Sequence, residues 1–351
     1  MGLRRVTAAL EAGPRQTLGS GRVAASRCRG HPCEDYAAPM STAIAAATDH
    51  RRRMLRRMAQ VCLGLVVLIV VLSAFMRHHG AGVGCADWPA CYGQAANALQ
   101  ASGPTPAGDG VALARLGHRV AASLALVLIL VMLFGCLATR PILRREGRLA
   151  AALLVLALGL AALGVVSAGT PLPAVVLGNL LGGFLMLALC ARMVVVAGDP
   201  QGRPSDPLLA RMAGLVAILL VGQFALGALV SATWSAPACS SFGDCLDLAG
   251  RSGWDPAAFD PLRVPVPGDA AGATVQLAHR VGAIVAAAGA LVLGVLAWRR
   301  GRRGEALALA GFLLAVLALG ALIGGGALSM PAVLLHNLGA AGVLATVLRL
   351  P

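Results

Sequence analysis

Pro331-Ala332-Val333-Leu334-Leu335-His336-Asn337-Leu338 stands 158 positions after Pro173-Ala174-Val175-Val176-Leu177-Gly178-Asn179-Leu180, and the two stretches differ only at Leu334/Val176 and His336/Gly178. Two further pairs keep the same order. Leu277-Ala278-His279-Arg280-Val281 follows Leu116-Gly117-His118-Arg119-Val120 by 161 positions. Cys239 and Cys245 follow Cys85 and Cys91 by 154, each pair enclosing five residues. Three matches at a nearly constant offset mark an internal duplication. Around them lie eight apolar runs, at roughly 57–76, 112–138, 149–168, 173–197, 212–233, 273–298, 305–325 and 331–349. Each approaches the roughly 20 residues that a helix needs to cross a bilayer. The expected fold is an all-α integral membrane protein, with eight transmembrane helices arranged as two parallel-repeat four-helix bundles. An even number of spans per half keeps the repeats parallel, about an axis along the membrane normal. Alternating-strand patterns are absent, which excludes a β-barrel.

Composition agrees. Of 351 residues, 58% are hydrophobic and 13% charged, and the mean hydropathy is +0.79. A soluble domain of this size would need more polar surface, so lipid is the solvent and the backbone satisfies itself within helices. The expected organisation is an N-terminal extension over 1–50, an N-terminal four-helix half over 51–200 and a C-terminal four-helix half over 201–351. The extension is polar and rich in Arg, Gly and Ser, with no apolar core of a secretory signal. It reads as a disordered tail or as an over-extended start, with Met40 or Met54 as the initiator.

The formal net charge of +14 raises the question of nucleic acid, but the distribution of charge answers it. All 29 basic residues are Arg, and most sit in short clusters between apolar runs. Arg51, Arg52, Arg53, Arg56 and Arg57 precede the first span; Arg140, Arg144, Arg145 and Arg148 lie between the second and third. Arg203 and Arg211 lie between the fourth and fifth, and Arg299, Arg300, Arg302 and Arg303 between the sixth and seventh. All fall on one side, which the positive-inside rule makes cytoplasmic, with both termini inside. Two long loops, about 77–111 and 234–272, and two short ones near Thr170 and Ser329 lie outside.

Three histidines fall within spans: His118, His279 and His336. An imidazole in a membrane helix marks a functional site by default; the plain alternative is a histidine bonded to a neighbouring carbonyl. His279 and His336 each sit one to two turns inside the outer end of their helices. Two neutral imidazoles at one level can ligate a haem iron from both faces inside a four-helix bundle. Zinc would need further protein ligands at that depth. Gly282, Ala283, Gly339 and Ala340 follow the histidines and would leave room for a flat macrocycle. Arg119 and Arg280 could each pair with a haem propionate, or simply snorkel to the interface. The outer cysteines allow three pairings; their equal spacing favours one bridge in each loop, Cys85 with Cys91 and Cys239 with Cys245, bracing the fold rather than cycling. Cys62, Cys136 and Cys190 read as packing residues.

The stretch Gly82-Val83-Gly84-Cys85-Ala86-Asp87-Trp88-Pro89-Ala90-Cys91-Tyr92-Gly93 resembles the outer-loop motif of the haem A synthase family. The two His-Arg helix starts, the Leu-His-Asn of the eighth span, the eight spans and the duplicated halves fit the same family, over about residues 57 to 349. The resemblance implies oxidation of the haem O methyl group to the formyl group of haem A, for terminal oxidase biogenesis. It implies a resident haem b in the C-terminal half, on His279 and His336, and substrate haem O in the N-terminal half, ligated or positioned by His118. Implied partners are membrane lipid, haem O, haem O synthase and terminal oxidase assembly, with homo-oligomerisation possible and no nucleic acid. The implied location is the bacterial inner (plasma) membrane.

Two positions depart from the family pattern. Gly178 stands where the family carries a histidine on its fourth helix, and Arg115 stands where it commonly places a glutamate. An open side at Gly178 leaves the substrate iron five-coordinate or takes a ligand from His78, His79 or water. Alternatively the oxidation is lost, since Arg reverses the local charge and removes acid/base function. The rival expectations are a non-catalytic b-type haem protein in electron transfer or oxidase assembly, and a small-solute transporter.

Overall fold

The computed structural model describes residues 37–80, 109–166, 173–199, 206–263 and 271–350. Its helices are α1 (Ala37–Gly80), α2 (Asp109–Leu137), α3 (Arg144–Val166), α4 (Pro173–Gly198), α5 (Pro207–Ala232), α6 (Phe242–Ser252), α7 (Ala271–Arg299), α8 (Arg303–Gly324) and α9 (Met330–Val347), with a single 3₁₀ turn at Pro256–Phe259. All but α6 are long and apolar enough to cross a membrane. Val155, Ile218 and Leu314 are each 71% exposed on such helices. An apolar surface of that extent belongs against lipid. Among the described residues there is no strand.

The chain divides into two units, Met1–Ala47 and Thr48–Pro351. Helix α1 begins at Ala37, about twenty residues before its apolar run. Ala37, Ala38, Ala43, Ala45, Ala46 and Ala47 are strong helix formers and carry the helix back through a stretch expected to be irregular. The long loop before α7 also contains more structure than hydropathy reveals. Helix α6 is too short and polar to register as a span, but it is capped by the Ser241 side chain and turns Cys245 and Ala249 into a small buried cluster with Cys239, Ala273 and Leu277.

Within the second unit α2 packs on α3 and α3 on α4. Helix α1 joins them: Cys62 Sγ lies 3.6 Å from Cys190 Sγ on α4, and Arg52 pairs at 3.0 Å with Glu146 on α3. Cys62, Cys136 and Cys190 are all buried among apolar side chains. In the C-terminal part α5 packs on α7, α7 on α8, α8 on α9 and α9 back on α5. Helix α4 contacts both α5 and α9. There Phe184 and Phe224 meet with ring centroids 4.9 Å apart, and Arg192 donates to the Leu348 carbonyl at 3.0 Å.

Polar ties gather at the arginine-rich ends. Asp206 caps α5 by accepting from the backbone N–H groups of Leu208 and Leu209, and it also pairs with Arg300 beyond α7. The Leu209 N–H first, then the Arg300 charge, hold its carboxyl below the ordinary carboxylate range. The turn from α7 to α8 uses Gly301 at φ 76°, a backbone state that any Cβ would strain.

Candidate functional site

His279 on α7 and His336 on α9 line one cavity of about 500 Å³, enclosed by α5, α7, α8 and α9. At 1.5 Å per residue they sit about 12 Å and about 9 Å in from Ala271 and Met330, where their helices begin. The two rings thus sit at comparable distances from their own helix starts.

Each ring is seated against a glycine of the opposing helix. A Cβ at Gly227 of α5 would lie 2.9 Å from His279 Cε1, and one at Gly320 of α8 would lie 3.1 Å from His336 Cε1. Each ring is also tethered through Nδ1. His336 Nδ1 is 3.0 Å from the Val316 carbonyl, which can only accept, so the ring donates there and keeps a lone pair on Nε2. His279 Nδ1 is 3.0 Å from Gln223 Nε2, which also donates to the His279 carbonyl at 3.0 Å. Gln223 Oε1 is buried and, among the described residues, without a partner.

The small residues after the histidines act differently from expectation. Ala283 and Ala340 do line the cavity. Gly282 instead makes room for Gln223, whose Oε1 would collide with a Cβ there, and Gly339 lets the α8 backbone at Val316 approach within 3.7 Å of where its Cβ would be. Their smallness serves helix packing and the Gln223 seat.

The long-loop end of the cavity is polar. Arg280 donates to the carbonyls of Cys239, at 3.2 Å, and Gly324, at 3.3 Å, while its charge faces Asp244 on α6. The Ser240 backbone N–H, then its hydroxyl, hold the Asp244 carboxyl below the usual range. Cys239 and Cys245 are within bonding distance, their Cα atoms 5.1 Å apart. Arg77 and His78 of α1 line the same cavity, as do Leu180 and Phe184 of α4.

In the N-terminal half His118 is half-buried, while Arg115 and Arg119 on the same helix are exposed. His118 does not line the cavity of His279 and His336. At Gly178 a Cβ would lie 2.7 Å from Leu163 Cδ2 on α3, so that side chain covers the position. Neither neighbouring histidine is turned to Gly178. His78 lines the C-terminal cavity, and His79 is exposed and stacks on Phe75 at 5.4 Å. Cys85, Cys91 and the motif around them lie outside the described residues.

The site can be tested against a haem by its donors. Among the described residues no cluster of three or more His, Cys, Asp or Glu side chains could hold a bare metal ion. Two imidazoles with tethered Nδ1 atoms, facing one largely apolar cavity, suit an iron that brings its own four equatorial ligands. The residues fit that group.

A model of the family described as cytochrome oxidase assembly protein, COX15-CtaA, matches residues 56–348. The chain belongs to that family. A protein of Shewanella oneidensis named Heme A synthase is 30% identical over 258 residues, covering 67% of this chain and 76% of that protein. With eight apolar helices, this COX15-CtaA member is a multi-pass membrane protein. Gln223, Gly227, Gly320 and Arg77 of its cavity escaped sequence reasoning, and His78 enters it only as a substitute ligand in the N-terminal half. The two glycines are hidden in a chain holding 44 of them. Gln223 had a usable signal, as a lone amide amid the apolar run of the fifth span.

Proposed function

We propose that the chain is a haem A synthase: it holds a resident haem b between His279 and His336, and it oxidises the methyl group of haem O to the formyl group of haem A for terminal oxidase biogenesis. The observation that carries this is the pair of tethered imidazoles facing one cavity in a chain of the cytochrome oxidase assembly family. When bound, the haem iron supplies a one-electron redox centre. The protein holds the two rings at fixed height, surrounds them with Leu313, Val343 and Ala287, and offers Arg280 at the loop end for a propionate. His118, with Arg119, would ligate or position the substrate in the N-terminal half. The two halves are related by a two-fold axis along the membrane normal, both termini and the Arg clusters face the cytoplasm of a bacterial inner membrane, and Cys239–Cys245 and Cys85–Cys91 form disulfides on the opposite side. Haem O synthase, as supplier of the substrate, is the expected partner.

A second reading, a non-catalytic b-type haem protein, is favoured by two observations. Leu163 fills the position facing Gly178, and Arg115 is exposed on α2. The deciding experiment is expression in a host that makes haem O, followed by extraction of the haems from the purified protein and the membranes. Haem A beside haem b supports the synthase. Haem b with no haem A leaves the second reading, and a preparation with no haem overturns both.

Ligation through Nε2 places the proton of His279 on Nδ1, which then needs an acceptor. Gln223 Oε1, buried and unpartnered among the described residues, belongs to the amide already 3.0 Å from Nδ1. Turning the amide over presents it to Nδ1 and gives up the bond to the His279 carbonyl, which keeps its helical N–H. Gln223→Leu is therefore expected to weaken haem retention by about 10- to 100-fold, the usual effect of removing such an outer partner. Gln223→Glu, a stronger acceptor, is expected to lower the midpoint potential in an optical redox titration. An unchanged potential in both variants would exclude this role.

A further inference from the structure

His78 is a buried polar side chain, one of whose ring nitrogens is left unexplained by the described residues. It lies two residues from the end of α1 and is 3% exposed. Its ring belongs to the N-terminal half, yet it lines the cavity of His279 and His336. The ring nitrogens differ. Nε2 lies 3.4 Å from Arg77 Nη2, and a guanidinium can only donate, so Nε2 accepts and the proton sits on Nδ1. That Nδ1–H is buried and, among the described residues, has no partner. A buried donor without an acceptor is costly, and the residues lining the cavity include no Asp or Glu to supply one.

Depth indicates what the acceptor is. His78 lies about 3 Å from its helix end, whereas His279 and His336 lie about 12 Å and about 9 Å from theirs. The donor is thus nearer the loop face than the two ligands are. Arg77, Ser240, Gln276 and Arg280 share that polar end, while the opposite end of the cavity is lined by Leu313, Ala287 and Val343. A site with an apolar floor and a cationic, donor-rich mouth matches a flat apolar molecule with carboxylates along one edge.

We infer that His78 donates its Nδ1–H to a propionate of the haem held by His279 and His336, so that the N-terminal half, through α1, supplies part of the carboxylate clamp of the C-terminal site. This rests on the haem b site proposed above. The clamp is completed only when α1 is packed beside the C-terminal bundle.

The test uses the full-length protein, stripped and reloaded with either haem b or its dimethyl ester, whose carboxylates cannot accept a charge-assisted hydrogen bond. Haem loss to an excess of an apo-haem-protein scavenger and the low-spin optical spectrum are read for wild type, His78→Leu and His78→Gln. Loss of haem b from His78→Leu is expected to be about 10- to 100-fold faster, as for a hydrogen bond to a charged group, with the low-spin spectrum retained. His78→Gln, which keeps a donor, is expected to recover most of the difference, and the ester is expected to leave both variants and wild type at the same rate. Equal acceleration for haem b and ester in His78→Leu would make the residue merely structural and overturn the inference. Loss of the low-spin spectrum in that variant would make His78 an iron ligand and overturn it too. A wild-type protein that takes up neither haem overturns the site itself, and this inference with it.

Discussion

Replacing His336 by Ala is expected to remove the low-spin bis-imidazole spectrum and most of the bound haem. The ring has no substitute at its position. Its Nδ1 is committed to the Val316 carbonyl, so Nε2 is the ring nitrogen left for a ligand. Alanine deletes the ligand and leaves that carbonyl without the side-chain donor. Removing a group that merely orients a ligand costs about 10- to 100-fold in metal affinity, and removing the ligand itself should exceed that. Purified His336→Ala protein should therefore carry less than a tenth of the wild-type haem per chain, and the residue should be high-spin. The protein should still assemble, because His336 is only half-buried and its neighbours Ala340, Val343 and Leu344 keep the packing of α9. A spectrum unchanged from wild type would overturn the ligand assignment. His279→Ala is expected to behave in the same way.

The second large effect comes from a residue that makes no hydrogen bond through a side chain. Gly320→Leu places a branched side chain where the His336 ring now sits, since the first added carbon would already be 3.1 Å from Cε1. Leucine is a better helix former than glycine by about 1 kcal/mol, so α8 itself gains, and the damage is confined to the ring and the cavity. Overpacking of this kind costs about 1–3 kcal/mol, which the ring avoids by leaving its place. The expected result is loss of low-spin haem comparable to that of His336→Ala in a protein of undiminished helicity. Gly311→Leu is the matched control on the same helix, where a Cβ meets nothing within 4 Å. It is expected to keep its haem. Equal haem in both variants would show that the ring does not depend on the Gly320 gap.

The helices were legible because lipid imposes a simple rule: a span must be apolar for about 20 residues. The rule covers only the part of a helix inside the bilayer. It therefore says nothing about the alanine-rich beginning of α1 or about α6, whose short amphipathic face packs on protein. His279 and His336 stood out because a polar ring is rare and expensive inside a membrane. Arg280 stood out because it recurs, in step, in both halves. The seats of the rings were not legible. Gly227 and Gly320 matter through the atoms opposite them, and opposition across helices depends on rotation about each axis, which hydropathy does not fix. His78 shows the same limit. In the sequence it stood beside His79 and water as a ligand source for the gap at Gly178, yet its ring lines the cavity of His279 and His336.

The contact of Leu163 with Gly178 couples two positions on neighbouring helices. In the C-terminal half the small partner is on α8 and the ring on α9, as Gly320 and His336; in the N-terminal half the large side chain is on α3 and the gap on α4, as Leu163 and Gly178. Big and small have traded places. A histidine placed at 178 would meet Leu163, a half-buried side chain that must give way to admit it. An imidazole at 178 therefore asks Leu163 to swing aside or to shorten, so the two positions are expected to vary together.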